Sequence, residues 1–223
     1  MPIRRVNLSV NKPIIVLGAG GHAAVLVDML RSQGVVPLAL VAPTAGAPRT
    51  VLADIPLWHD EAKILAYRSN EVELVNGIGS LPGSPLRAEL FARYRALGYH
   101  FARVVSTQAM VSDYVVLEEG VQVMAGAIIQ AGTRIGANSI INSGAIVDHD
   151  CHLAGDNHVA PGAVLSGGVV TGERVHIGTG AAVIQGISIG AGAVVGAGAT
   201  LTHPLGEKQI TYVARSSVMP IKQ

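Results

Sequence analysis

The stretch Asp148-His149-Asp150-Cys151-His152, with His158 six residues on and His176 eighteen beyond that, holds most of the titratable chemistry of its region. An imidazole titrates near pH 6.5, and a neighbouring carboxylate raises its basicity, so His149 beside Asp150 suits a general base. Zinc binding is the competing chemistry, because Asp, His, Cys and His are all ligand types. Alternation along a strand sends neighbouring side chains to opposite faces and turns Cys151 inward, so four ligands from one rung hardly converge. No metal is expected. A purely structural histidine remains the third reading of His149. His158 and His176 could likewise form a stacked polar ladder in a subunit interface.

A second cluster lies near the start, where Gly18-Ala19-Gly20-Gly21-His22-Ala23 follows the apolar run Pro13 to Leu17. Glycines there let the backbone approach a phosphate, and the N-terminus of a following helix favours negative charge. An NAD site would also need a carboxylate about 20 residues on. The second strand instead runs Leu38-Ala39-Leu40-Val41-Ala42-Pro43, so a nucleotide-sugar is a better guest than a redox cofactor. His22 is not needed for the bend. It suits a phosphate, a sugar hydroxyl or the loop itself.

The elements that position these groups follow from a repeat. From Val105 to Leu201, seventeen positions six residues apart include sixteen aliphatics, with Thr171 the exception. A second column four residues later is mostly small, as at Ala127, Ala145, Cys151, Ala163 and Ala181. Period six matches neither an α-helix nor a simple strand. It predicts a triangular coil, each short strand giving one inward aliphatic before a glycine-tolerant corner. Three hexads make a coil, and coils stack at about 4.8 Å.

Residues 1–104 read differently. Strands are expected at Pro13–Leu17, near Val36–Val41 and near Val72–Val75, with helices from Ala23 to Arg31 and from Leu86 to Leu97. In the latter, Leu86, Leu90, Tyr94 and Leu97 share one side, and Arg87, Arg93 and Arg95 lie elsewhere. This is an open α/β domain of Rossmann type. The organisation predicted is therefore 1–104 Rossmann-like and 105–223 parallel β-helix.

Composition agrees. The 223 residues are 49% hydrophobic, 14% charged and 4% aromatic, with 27 glycines, which excludes a disordered chain and suits small-residue β corners. A net charge of +1 gives no electrostatic footprint for nucleic acid or an anionic membrane. One cysteine excludes an internal disulfide framework and fits a reducing compartment. Arg4 and Arg5 before an apolar run loosely mimic a signal peptide, but no cleavage motif follows, and a cytoplasmic location is expected.

The two motif regions together resemble the NeuD and PglD type of bacterial sugar acetyltransferase. The text carrying this is Gly18 to Ala23, Ile141-Asn142, Gly144-Ala145, Asp148 to Cys151 and His158-Val159-Ala160-Pro161-Gly162. The resemblance implies a left-handed β-helix, a homotrimer and acetyl-CoA as co-substrate, in cell-surface polysaccharide biosynthesis. It implies His149 as general base with Asp150 raising its basicity, and cofactor contacts at His158, Gly167, Thr179 and Ala197. Sugar-nucleotide contacts fall at Gly20, Gly21, His22 and the loop around Gly79. The chain departs from relatives at Ala42 and Pro43, where they often carry acids. It departs again at Tyr212 to Ser216, leaving Arg215 and Lys208 as candidates for the cofactor's 3′-phosphate. The expected reaction is N-acetylation of a nucleotide-linked deoxyamino sugar. The alternatives are O-acetylation of a sialic acid or related nonulosonate, and a non-catalytic sugar-nucleotide binder.

Overall fold

A computed structural model describes residues 12–213. The first part is a four-stranded parallel sheet of β1 (Ile14–Leu17), β2 (Ala39–Val41), β3 (Leu57–Trp58) and β4 (Glu73–Asn76), in the order β3-β2-β1-β4. Strands β1, β2 and β4 are buried throughout, as expected where helices or other layers cover both faces of a parallel sheet. Helix α1 (Gly21–Arg31) packs on one face. Helices α2 (Ala62–Leu65) and α3 (Leu86–Ala96) lie on the other side of the fold's short strands, where Tyr94 joins Ile15, Leu74 and Phe101.

Helix α3 departs from the expected sidedness. Leu86 and Leu97 are exposed, while Tyr94 and Arg87 are buried. Arg87 points inward because carbonyl oxygens wait for it: Nη1 donates to Asn76 and Ile78, and Nε to Asn138. Three acceptors from two parts of the chain compensate what the apolar pattern could not foresee.

From Val104 onward the chain is a left-handed β-helix of two-residue strands. Face 1 stacks Val104–Val105, Gln122–Val123, Ile140–Ile141, His158–Val159, His176–Ile177, Val194–Val195 and Ile210–Thr211. Face 2 runs from Met110–Val111 to Thr200–Leu201, and face 3 from Val116–Leu117 to Ser188–Ile189. Every ladder is parallel with an eighteen-residue register, such as Ile140 opposite His158, until a shortened last coil pairs Val194 with Ile210. The predicted inward column fills one continuous core. Thr171 breaks the aliphatic pattern because Asn157 stands inside the coil, and Asn157 Nδ2 donates to Thr171 Oγ1 at 2.8 Å. Asn157 also gives a hydrogen bond to the Ala154 carbonyl and accepts one from Val175 N–H, so the buried amide is satisfied.

Corners need a left-handed residue. On the edge between faces 1 and 2 these are all glycines: Gly126, Gly144, Gly162, Gly180 and Gly198. The α/β layer sits on face 1, so Val104 and Ile140, which point out of the coil, are nevertheless fully buried against α1 and β1 residues. No helix among the described residues is long and apolar enough to cross a membrane.

Candidate active site

His149 and Asp150 form the corner between faces 2 and 3. Asp150 adopts φ +56°, at a position that Gly132, Gly168 and Gly186 fill on neighbouring coils. Aspartate tolerates this conformation better than most side chains. His149 Nδ1 lies 2.8 Å from Asp150 Oδ2, and Asp148 Oδ1 accepts the His149 backbone N–H. The Asp150 carboxylate and the nearby Asp148 raise the His149 pKa above the ordinary value. With Nδ1–H directed at the carboxylate, Nε2 keeps a lone pair and faces solvent on a largely exposed ring.

Two glycines make room for this pair. A Cβ at Gly132, one coil before Asp150, would stand 2.2 Å from Asp150 Oδ1. A Cβ at Gly167, one coil after His149, would stand 2.5 Å from His149 Nε2. The dyad thus lies between side-chain-free positions on adjacent rungs. Cys151 points into the core as expected, where burial raises its pKa and Sγ donates to the Ser166 carbonyl. His152 points outward, with Nδ1 beside the Asp150 carbonyl. Among the described residues no group of three or more His, Cys, Asp or Glu is placed to hold a metal ion.

The glycine turn forms a second centre. Gly20 precedes α1 with no side-chain cap, so the first N–H groups of the helix lack intrahelical partners. Gly20 and Gly21 border open space, and Arg49 Nη2 lies 3.8 Å from where a Cβ on Gly21 would stand. Arg49, a lone cation in an irregular loop, carries no signal in the sequence. A cavity of about 450 Å³ opens here at the carboxyl ends of β1 and β2, lined by Gly18, Gly20, Ala42, Pro43, His59 and Glu61 among others. Such crevices are where open parallel sheets take ligands. Gly79 lies beside His22: a Cβ added at Gly79 would stand 3.7 Å from His22 Cβ.

His158 lies on face 1 beneath the loop after β4. Its Nδ1 is 3.1 Å from the Ser80 carbonyl oxygen and its Nε2 is 3.1 Å from Asn142 Nδ2. Burial first, then His176, lower its pKa to about 3. Both ring nitrogens are therefore used inside the chain, and a cofactor contact here would fall to the backbone or the ring surface. His158 and His176 do form an edge-to-face pair, with centroids 4.8 Å apart, and this chain's own loop covers His158 through the Ser80 carbonyl. Thr179 and Ala197 share the edge between faces 1 and 2, both exposed. Lys208 stands on the edge between faces 3 and 1, on a different edge from the His149 dyad and from Thr179. Arg215 lies outside the described residues. One chain therefore brings together His149, Asp150 and Gly167, and separately Gly20, Gly21, His22 and Gly79. It does not unite the two groups.

Residues 114–149 match the bacterial transferase hexapeptide family (six repeats), and residues 168–203 the hexapeptide repeat of succinyl-transferase. Perosamine N-acetyltransferase from Caulobacter crescentus, solved with CoA and GDP-perosamine, is 36% identical over 92% of this chain and 94% of its own, with a TM-score of 0.80. The chain belongs to the hexapeptide-repeat sugar acetyltransferases. The acetyltransferase domain of PglB from Neisseria gonorrhoeae, solved with acetyl coenzyme A, is 27% identical over 90% of this chain and 95% of its own, with a TM-score of 0.81. WeeI from Acinetobacter baumannii, at 22% identity, 90% and 96% coverage and a TM-score of 0.74, shares the fold. No curated protein matches the sequence. Membership of this acetyltransferase family agrees with the resemblance carried by the two motif regions, and the α/β layer followed by a β-helix is the fold expected of it.

Proposed function

We propose that this acetyltransferase moves an acetyl group from acetyl-CoA to the amino group of a nucleotide-linked deoxyamino sugar, with His149 as general base. The observation that carries this is the His149–Asp150 pair, which fixes the proton on Nδ1 and leaves Nε2 exposed and basic. The amine nitrogen attacks the thioester carbonyl carbon, and its proton passes to His149 Nε2. The carbon–sulfur bond then breaks, and the imidazolium returns the proton to the departing thiolate. Such assistance contributes about 10² to 10⁴ in rate. Backbone N–H groups at the glycine corners are available to steady the oxyanion.

The glycine turn and its cavity take the nucleotide: first-turn N–H groups of α1 and Arg49 meet the pyrophosphate, and Gly20, Gly21, His22 and Gly79 meet the sugar side. Gly167, Thr179 and Ala197 line the path of acetyl-CoA, joined by the backbone of His158. The site is completed by a neighbouring copy in a homotrimer. His149 sits on the edge opposite face 1, whereas the turn is fastened to face 1 through His22 and Gln122. Face 2 supplies the apolar surface for assembly, since its outward residues run Met110, Ile128, Ile146, Val164 and Ala182, with Met110 most exposed. Work in the cytoplasm follows from a co-substrate made there.

The test is thiol release from acetyl-CoA with GDP- and UDP-linked 4-amino-4,6-dideoxyhexoses beside free nonulosonates, followed by mass spectrometry of the product. N-acetylated nucleotide-sugar is the expected product. Acetylation of the nonulosonate alone overturns the acceptor, and no thiol release with any acceptor overturns the reaction.

A further inference from the structure

Among the described residues, five other than glycine hold a left-handed backbone. Asp150 belongs to the dyad. The other four, Asn138, Asp156, Arg174 and Lys208, stack along the edge between faces 3 and 1. Asn and Asp tolerate that conformation, but Arg and Lys meet its steric cost without such relief. Two cations therefore occupy corners that glycine would fit without strain.

That edge and the loop after β4 form the walls of a cavity of about 550 Å³, a volume within the range of small-molecule sites. Arg174, Lys208, Asp156, Glu207 and His176 stand on the β-helix side, and Leu81, Pro82 and the start of α3 stand opposite. Arg87 also lines the cavity and is only 5% exposed. Its Nε and Nη1 serve carbonyl oxygens, whereas its Nη2 is buried with no hydrogen-bond partner among the described residues. Burial lowers the Arg87 pKa to about 9, against the opposing pull of Asp156, so the group stays charged at neutral pH. A buried cation with a vacant N–H is costly until an acceptor meets it. Helix α3 begins at the same wall with no side-chain cap, and its first N–H groups lack intrahelical partners. His176 Nδ1 is likewise buried without a partner.

We propose that this cavity is a second binding site, for a sugar monophosphate. The phosphate takes its donors from Arg87 Nη2, the first turn of α3, Arg174 and Lys208. Asp156 and Glu207 accept from hydroxyl groups of the sugar and repel ligands of higher charge, such as a nucleoside diphosphate. His176 Nδ1 meets a hydroxyl in either tautomer, since a hydroxyl both donates and accepts. The cofactor path lies elsewhere, because Thr179 and Ala197 belong to the edge between faces 1 and 2. Face 2, the proposed assembly surface, lies across the prism from this edge, so the cavity stays open in a trimer.

Calorimetric titration of the full chain with glucose 1-phosphate, glucose 6-phosphate, inorganic phosphate and free glucose tests this, with and without saturating CoA and GDP. A glucose phosphate binds about tenfold or more tighter than inorganic phosphate or free glucose, and CoA and GDP change its dissociation constant by less than about twofold. Ala88→Glu puts a carboxylate in the first turn of α3, where helices accept acids, and abolishes binding. Arg174→Asn, a residue suited to φ +56°, weakens binding by about tenfold, the scale of one charge-assisted hydrogen bond. Both variants keep Arg87, so circular dichroism and the acetyl-CoA dissociation constant match the wild type. No heat with either ester, or esters bound no tighter than inorganic phosphate, overturns the proposal. Displacement by CoA or GDP overturns it too, because it returns these cations to the substrates already described. So does ester binding that survives both variants.

Discussion

The edge that carries His149 and the face that carries His158 use the same residue type in opposite ways. At the edge the imidazole is exposed, paired with Asp150, and more basic than usual. Under the α/β layer, His22 and His158 are buried near the Arg87 guanidinium and have pKa values lowered to about 4 and about 3. One region keeps a lone pair ready to take a proton, and the other keeps rings neutral so that their hydrogen bonds run in one direction. Whether a histidine does chemistry or geometry depends here on who supplies its neighbours. A carboxylate on the same corner promotes the first, and a covering layer with a buried cation enforces the second.

The largest effect expected from breaking this contrast is at the edge. His149→Ala lowers kcat by about a hundredfold or more, the loss of a general base, with circular dichroism and assembly unchanged. Near-normal turnover would remove His149 from the proton transfer and leave the comparison without its reactive half. The pH dependence has a definite sign. Activity falls as pH drops through the raised His149 pKa, because the imidazolium cannot accept the amine proton. Asp150→Asn moves that acidic limb to lower pH.

Next comes the cation that organises the buried side. Arg87→Met strands the carbonyl oxygens of Ile78 and Asn138, each costing about 1 to 3 kcal/mol when left without a donor, while the Asn76 oxygen keeps its hydrogen bond from Gln122. Chemical denaturation should report a loss of about 2 kcal/mol or more, while the His149 titration, followed by NMR, stays where it was. A shift at His149 would show that the two regions are electrostatically coupled and not independent.

Acid gives a smaller effect of the same origin. Between the ordinary histidine pKa of about 6.5 and the lowered native values, the unfolded chain binds protons that the native rings refuse. Stability therefore falls as pH drops through that window, and it is fully retained above it. His158→Gln cannot take up that proton, so the slope of stability against pH between about 6 and 4 becomes shallower. An unchanged slope would mean that His158 is already protonated in the native state.

What the sequence made legible follows the same division. The β-helix could be read nearly rung by rung, because each hexad repeats one packing problem and a polar residue in it stands out. That is why Asp148 to Asp150 was visible as chemistry. The exception at Thr171 needed the inward Asn157, whose partner lies in the next coil. In the α/β layer the parallel strands and both long helices were legible from apolar runs and the glycine turn. Strand β3, two residues long, carries too little pattern to show. The buried face of α3 is not legible in its apolar spacing, because Arg87 answers to carbonyls brought near by folding, not to a helical period. Gln122 and Arg49 gave no signal, since each is a single polar residue. Gln122, for one, has its partner His22 a hundred positions away.

The smallest predicted effect tests how finely the edge is shaped. Gly167 has an ordinary backbone conformation, so alanine there meets no strain of its own. Its Cβ would nevertheless come within 2.5 Å of His149 Nε2, the atom that must meet the amine. The ring has room to swing, because it is exposed, but swinging stretches the 2.8 Å bond to Asp150. Gly167→Ala should therefore lower kcat several-fold and not abolish it, and also move the acidic limb of the pH profile downward as the carboxylate's hold weakens. If the substitution instead raised KM for acetyl-CoA at constant kcat, Gly167 would serve as a floor for the cofactor, with the imidazole indifferent to it.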